Sequence, residues 1–184
     1  GSTRVLPDPF LVIATQNPHG DDPGTFPLVA GQRDRFAVSI SLGLPGRAAE
    51  LELLAGRGGA PKLDGLEPVA PIEAWQGARR AVDDIHVHPA VAAYVLDLVD
   101  AVRAADPRRS ISPRASIELA RLARARALSS GRGHTRPDDV QSVVVAALAH
   151  RIVDDAHVDL VAARGWLTEV CRSVPVPPPG PVSG

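Results

Sequence analysis

Phe10-Leu11-Val12-Ile13-Ala14-Thr15 forms a continuous apolar run between Pro9 and the Asn17-Pro18 pair. A run of that kind reads as a strand buried on both faces, as in a parallel sheet covered by helices. A Gly/Asp/Pro-rich loop follows from His19 to Pro27, and then a short polar segment. Phe36, Val38, Ile40 and Leu42 alternate with Ala37, Ser39 and Ser41, which predicts a second strand stopped by Leu44-Pro45-Gly46. From Arg47 onward the period is helical. Ala48, Leu51 and Leu54 mark a short first helix, and the stretch from Gly56 to Pro68 reads as a loop. Ile72 to Val82 predicts a second helix, with Glu73 in its first turn, where an anion suits the helix dipole. Val91, Tyr94, Val95, Leu98, Val99 and Val102 give the clearest amphipathic stripe of the chain. A fourth helix after Pro113 places Leu119, Ala120, Ala123 and Ala127 on one side and is ended by Gly131 and Gly133. Thr135-Arg136-Pro137-Asp138 reads as a capped start, and Val140, Val143, Val144, Ala147, Leu148 and Arg151 continue at helical spacing into Ile152-Val153-Asp154-Asp155. Val158 to Cys171 is weakly periodic and predicts one more helix. The sequence from Val174 is too rich in proline to pack and is expected to be extended and mobile.

Composition narrows this picture in three ways. Aromatic residues are only 3% and Met is absent while hydrophobic residues reach 45%, so the core has to be made of Ala, Val, Leu and Ile. The formal net charge of -1 selects neither nucleic acid nor a membrane surface as partner. The single cysteine, Cys171, excludes an internal disulfide and fits a reducing, cytoplasmic setting. No apolar run reaches the roughly 18 residues that would suggest a membrane span.

The short motifs are more specific. Ala14-Thr15-Gln16-Asn17-Pro18, Gly24-Thr25-Phe26-Pro27-Leu28 and Gln32-Arg33-Asp34-Arg35-Phe36 occur in succession, followed by Ser112-Pro113-Arg114-Ala115-Ser116, Thr135-Arg136-Pro137-Asp138-Asp139-Val140 and His150-Arg151. Each alone arises by chance. Together, in this order and at this separation, they resemble the C-terminal part of the MoxR family of AAA+ ATPases over nearly all of the chain up to the proline tail. The resemblance implies a mainly α fold, with a helical AAA+ lid bundle preceded by a fragment of the parallel α/β AAA+ core. On that reading residues 1–45 are the core remnant, 46–155 the lid, 156–174 a helical extension and 175–184 a disordered Pro-rich tail.

The resemblance also implies roles. Asn17, at the end of the first apolar run, matches the sensor 1 position; a carboxamide both donates to a phosphate oxygen and accepts from an attacking water. On sequence alone Asn17 equally well starts a turn before Pro18. Arg35 matches the arginine finger, whose planar, permanently charged fork suits a transferring phosphoryl group. The plain alternative is a surface arginine paired with Asp34 or with a carboxylate elsewhere, and Arg33 is the neighbour with which it is easily confused. Arg114 matches sensor 2 at the start of a lid helix, where charge and bidentate geometry reinforce an anion site. One departure is clear: where the family usually shows Leu-Pro-Glu-Ala-Gln-Leu before Asp-Arg-Phe, this chain reads Leu28-Val29-Ala30-Gly31-Gln32-Arg33.

What is absent matters as much. The only lysine, Lys62, lies in Ala60-Pro61-Lys62-Leu63, which is not a phosphate-binding loop. The acidic pair for magnesium is missing too, since Asp154-Asp155 is read as continuing a helix. The chain by itself is therefore expected not to hydrolyse ATP or to hold ATP and magnesium tightly, although the intact family members use both. In the family a homo-oligomeric ring remodels or activates partner proteins, some with von Willebrand A domains. Because the strand expected between the two apolar runs is not in this sequence, residues 1 to about 45 are expected to be poorly ordered, self-associated or non-native. The competing reading is a free-standing helical adaptor that binds protein or DNA through Arg121, Arg124, Arg126 and Arg132; the neutral overall charge argues against nucleic acid. Asp83, Asp84, His86 and His88 lack the further ligands a metal site needs, and no metal is expected. Cys171 reads as a small buried apolar residue rather than a nucleophile.

Overall fold

The computed structural model describes residues 3–16, 28–57, 65–106, 111–153 and 159–178. Seven α-helices are found in them: α1 (Ala30–Arg33), α2 (Arg47–Leu54), α3 (Ile72–Asp83), α4 (Pro89–Ala105), α5 (Pro113–Ser129), α6 (Pro137–Leu148) and α7 (Leu160–Arg172). A 3-10 turn, Ala149–Arg151, extends α6. The five helices from Arg47 onward that periodicity predicts are present, with the weak sixth signal realised as α7.

Local chemistry explains their ends. At α4 the His88 ring nitrogen accepts from the Ala90 amide at 3.2 Å, and Pro89 occupies a first-turn position where its missing N–H costs nothing. α5 stops in a glycine-terminated cap: Gly131 has φ +70, its amide bonds the Leu128 carbonyl, and the Arg132 amide bonds that of Ala127. Asp159 caps α7 by accepting from the Val161 and Ala162 amides at 3.0 and 2.9 Å. At α6 the cap is Asp139, whose carboxylate accepts from the Arg136 amide at 2.8 Å.

The core lies between α4, α5, α6 and α7. Tyr94, Leu98, Leu119, Leu148, Ile152 and Leu167 are almost fully buried there. Each such side chain contributes about 1.5–3 kcal/mol by leaving water. The stripe on α5 is made of Ala115, Leu119, Ala123 and Ala127, and its small residues let α6 approach closely, giving the most extensive helix contact of the molecule. An isolated parallel bridge, His86 to His134, ties the start of α4 to the start of α6; the His86 amide bonds Gly133 and its carbonyl accepts from the Thr135 amide.

Several expectations are corrected. Neither Phe10–Thr15 nor Phe36–Leu42 forms a strand, and the described residues contain none. Ile13 and Leu42 are 81% and 92% exposed, because a strand needs a neighbour along its edge and the described segments offer these two no partner. α2 forms, but none of its residues is buried among the described residues. α6 does not run through to Asp155: it ends at Leu148 and the 3-10 turn ends at Arg151, with Asp154 and Asp155 outside the described residues. Val174, which opens the Pro-rich stretch expected not to pack, is buried in the core cluster beside the end of α7.

Candidate functional site

Three of the quoted motifs meet at one place. The Asp34 carboxylate accepts from the Ser112 hydroxyl at 3.0 and 3.2 Å, and from Arg151 Nε at 3.0 Å. Asp34 comes from the Asp-Arg-Phe motif, Ser112 from the Ser-Pro-Arg motif and Arg151 from the His-Arg motif, 78 and 117 residues away along the chain. The Arg151 side chain is 2% exposed and also donates to the main-chain oxygens of Asp34 and Phe36 at 3.2 and 2.9 Å, and to that of Ala147. Arg33 is buried as well. Its Nε donates to the His150 carbonyl at 3.1 Å, its Nη2 to Val153 at 3.0 Å, and its Nη1 to Leu28. Helix ends leave carbonyls open, and those at the end of α6 receive guanidinium donors from both arginines.

His150 completes the cluster. Its Nε2 lies 2.9 Å from the Phe36 carbonyl, which requires the proton on that nitrogen. Burial, together with the adjacent Arg151 charge, pushes its pKa down to about 4, so the ring is neutral at physiological pH.

Arg35 and Arg114 stand apart from this. Arg35 is exposed and makes no side-chain bond among the described residues. The plain alternative, pairing with Asp34, does not occur, since that carboxylate is taken by Ser112 and Arg151. Arg114 is exposed in the first turn of α5, two residues past Ser112, again with no side-chain partner among the described residues. The hydrogen bond between Asp34 and Ser112 thus brings the chain segments of two unengaged arginines side by side. Asn17 lies outside the described residues.

Other candidates resolve differently. His88 caps α4 and His86 sits in the bridge to His134; among the described residues no three His, Cys, Asp or Glu side chains are placed to share a metal ion. Burial pushes the Cys171 thiol up to about 11, which leaves little thiolate at neutral pH. The arginine face of α5 is not a continuous basic patch. Arg132 is bound to the buried Asp139 at 2.5 and 2.6 Å, and Arg121 lines a cleft that also holds Asp8 and Asp83. No described helix is long and apolar enough to cross a membrane.

Comparison with known proteins assigns both parts of the chain. Residues 107–165 match the AAA lid domain, and residues 1–38 match the ATPase family associated with various cellular activities (AAA). Chaperone MoxR1 of Mycobacterium tuberculosis is 33% identical over 96% of this chain, and Protein MoxR of Paracoccus denitrificans is 32% identical over 70% of it. The chain belongs to the MoxR family of AAA+ ATPases. The uncharacterized protein YeaC of Bacillus subtilis is also 33% identical, over 96% of the chain. A solved Cytophaga hutchinsonii structure, named provisionally as an ATPase, superposes with a TM-score of 0.76 at 27% identity, covering 94% of this chain and 56% of that one. The chain spans about half the length of the curated relatives it matches: 56% of YeaC, 49% of MoxR1 and 44% of the Paracoccus protein. The mainly α fold of a MoxR lid preceded by a piece of the AAA core accounts for both matches.

The motifs point to Arg35 and Arg114 and not to Arg33, Ser112 and Arg151, whose contacts with one another and with Asp34 join the two segments. On sequence alone Asp34 is a plain partner for Arg35, and Arg33 is easily confused with Arg35. The available signal was the His150-Arg151 pair, which belongs to the same set of motifs yet has no role assignable without the fold.

Proposed function

We propose that this chain is the sensor-and-lid half of a MoxR-type AAA+ ATPase with chaperone-like action on partner proteins, working in a homo-oligomeric ring. Arg35 serves as the arginine finger on the ATP of a neighbouring subunit, Arg114 as a second nucleotide-reading arginine, and Asn17 as the residue that orients the attacking water. The observation that carries this reading is the Ser112–Asp34 hydrogen bond at 3.0 Å, beside which both arginines are exposed and have no side-chain partner among the described residues. Two guanidiniums offered from one place suit the charge on phosphoryl oxygens. If Arg35 faces a neighbour's nucleotide, the same adjacency puts Arg114 at that nucleotide rather than its own subunit's. ATP and magnesium belong to the complete catalytic unit, and a von Willebrand A domain protein is a candidate partner. The 184 residues contain no phosphate-binding loop, so on their own they supply donors without a nucleotide pocket.

The test is a chimera carrying the phosphate-binding half of a MoxR relative ahead of Thr3. Arg35→Ala is expected to lower its kcat by roughly 10³-fold or more. Mixing Arg35→Ala copies with copies that lack the phosphate-binding lysine is expected to restore turnover, because each supplies what the other lacks. Undiminished hydrolysis by Arg35→Ala would sink the reading. The 184-residue chain alone is expected to show no ATPase activity.

A further inference from the structure

Arg33 is 4% exposed although it lies in a four-residue helix on the outer side of the bundle. The flexible, charged side chain is buried because it reaches across the chain: from α1 it takes the carbonyls of His150 and Val153 at 3.1 and 3.0 Å. Arg151 reaches the opposite way, from the end of α6 to the Asp34 carboxylate and the Phe36 carbonyl at 3.0 and 2.9 Å. The two guanidiniums therefore form a reciprocal strap, each anchored on one segment and bonded to the other. The Ser39 amide adds a main-chain bond to the Ala146 carbonyl at 2.9 Å. Arg35 sits in the centre of the strapped segment, and Asp34 joins it to Ser112 at the head of α5.

We infer that Arg33 and Arg151 are positioning residues that fix Arg35 to the lid, so that Arg35 and Arg114 move as one rigid unit. Any tilt of the lid then moves both arginines together. Arg33 stands where the family resemblance leads one to expect leucine, so this chain holds the finger with a strap of its own. A fork of planar donors suits the task, since it engages several carbonyls at fixed angles where a leucine or a lysine does not. The inference rests on the proposed roles of Arg35 and Arg114 only for its catalytic consequence; the strap itself is a matter of distances.

The experiment measures the distance distribution between spin labels at Arg35→Cys and Arg114→Cys in the full 184-residue chain, with Cys171→Ser to remove the native thiol. A single narrow distribution is expected in this parent and a markedly broader one after Arg33→Leu, with amide protection in α5 and α6 unchanged. If Arg33→Leu does not fold, Asp34→Asn, which keeps the shape and removes the charge, is expected to give the same broadening. An equally narrow distribution in the variant, or a broad one in the parent, would overturn the inference. In the ATPase chimera Arg33→Leu is expected to lower kcat by roughly 10²-fold with the KM for ATP little changed, as misplacement of a catalytic group does. A loss confined to protein yield would mark a merely structural role and overturn the positioning claim. The distances do not depend on turnover, so the two readings fail separately: an inert Arg35→Ala exchange sinks the finger, and unaltered distances sink the strap.

Discussion

Asp139 is 2% exposed and still accepts three hydrogen bonds, two from Arg132 at 2.5 and 2.6 Å and one from the Arg136 amide at 2.8 Å. Burial alone would raise its carboxyl; the Arg132 and Arg136 donors outweigh that and hold it below the ordinary carboxylate range. Removing Arg132 leaves an uncompensated buried charge. Arg132→Ala is therefore expected to destabilise the chain by about 3–5 kcal/mol in urea unfolding, whereas Arg126→Ala, on an exposed site, should change little. His150 gives a second prediction. Its folded pKa of about 4 lies below the usual 6.5, so the unfolded chain takes up the proton first as pH falls. The stability contributed by the neutral ring is complete above pH 6.5, declines as pH drops from 6.5 to 4, and is lost below that, on the order of 3 kcal/mol in all. His150→Gln should flatten that part of the stability–pH curve; an unchanged slope in the variant would refute the assignment.

At the scale of elements, α2 and α5 show why a helical stripe does not by itself say what a helix does. Both carry apolar residues at helical spacing, and both form. Leu51 on α2 is 52% exposed, whereas Ala123 on α5 is 1% exposed against α6. Leu51→Ala is expected to leave the melting temperature almost unaltered. Ala123→Leu forces extra methyl and methylene groups into the closest helix contact and is expected to cost about 1–3 kcal/mol. The difference was not readable in periodicity, because periodicity reports which side of a helix is apolar and not whether another element arrives to cover it. Helix boundaries followed the same division. Pro113, Gly131 and Pro137 are local signals and are legible, while the carbonyl of His150 past the end of α6 is taken by Arg33, which comes from 117 residues away.

For the whole molecule, packing is uneven. The buried cluster draws on α4 to α7, while Val5, Phe10, Leu11, Val12 and Ile13 are exposed. Segment 28–39 is an exception in the N-terminal part, since it is held to the lid through Arg33, Arg151 and Ser39. Hydrogen exchange of a dilute monomer is therefore expected to protect α4 to α7 most, to protect the Asp34 to Ser39 amides to an intermediate degree, and to leave residues 3–16 unprotected. Strong protection of residues 3–16 under those conditions would show that they have found a native-like arrangement without a neighbouring strand.

The order of helices, their capping residues, the Ala/Val/Leu/Ile core and the family resemblance were determined by the sequence itself, because each depends on residues within a few positions of one another or on motifs kept in order. The two apolar runs were also plain in the sequence, but a strand exists only when another strand bonds to it, and that condition is not local. Only the tertiary structure decided that Asp34 belongs to Ser112 and Arg151 rather than to Arg35, and that Arg33 is buried while its neighbour two positions on is not. Arginines look alike along a chain; which one is enclosed depends on the carbonyls that folding brings within 3 Å of it.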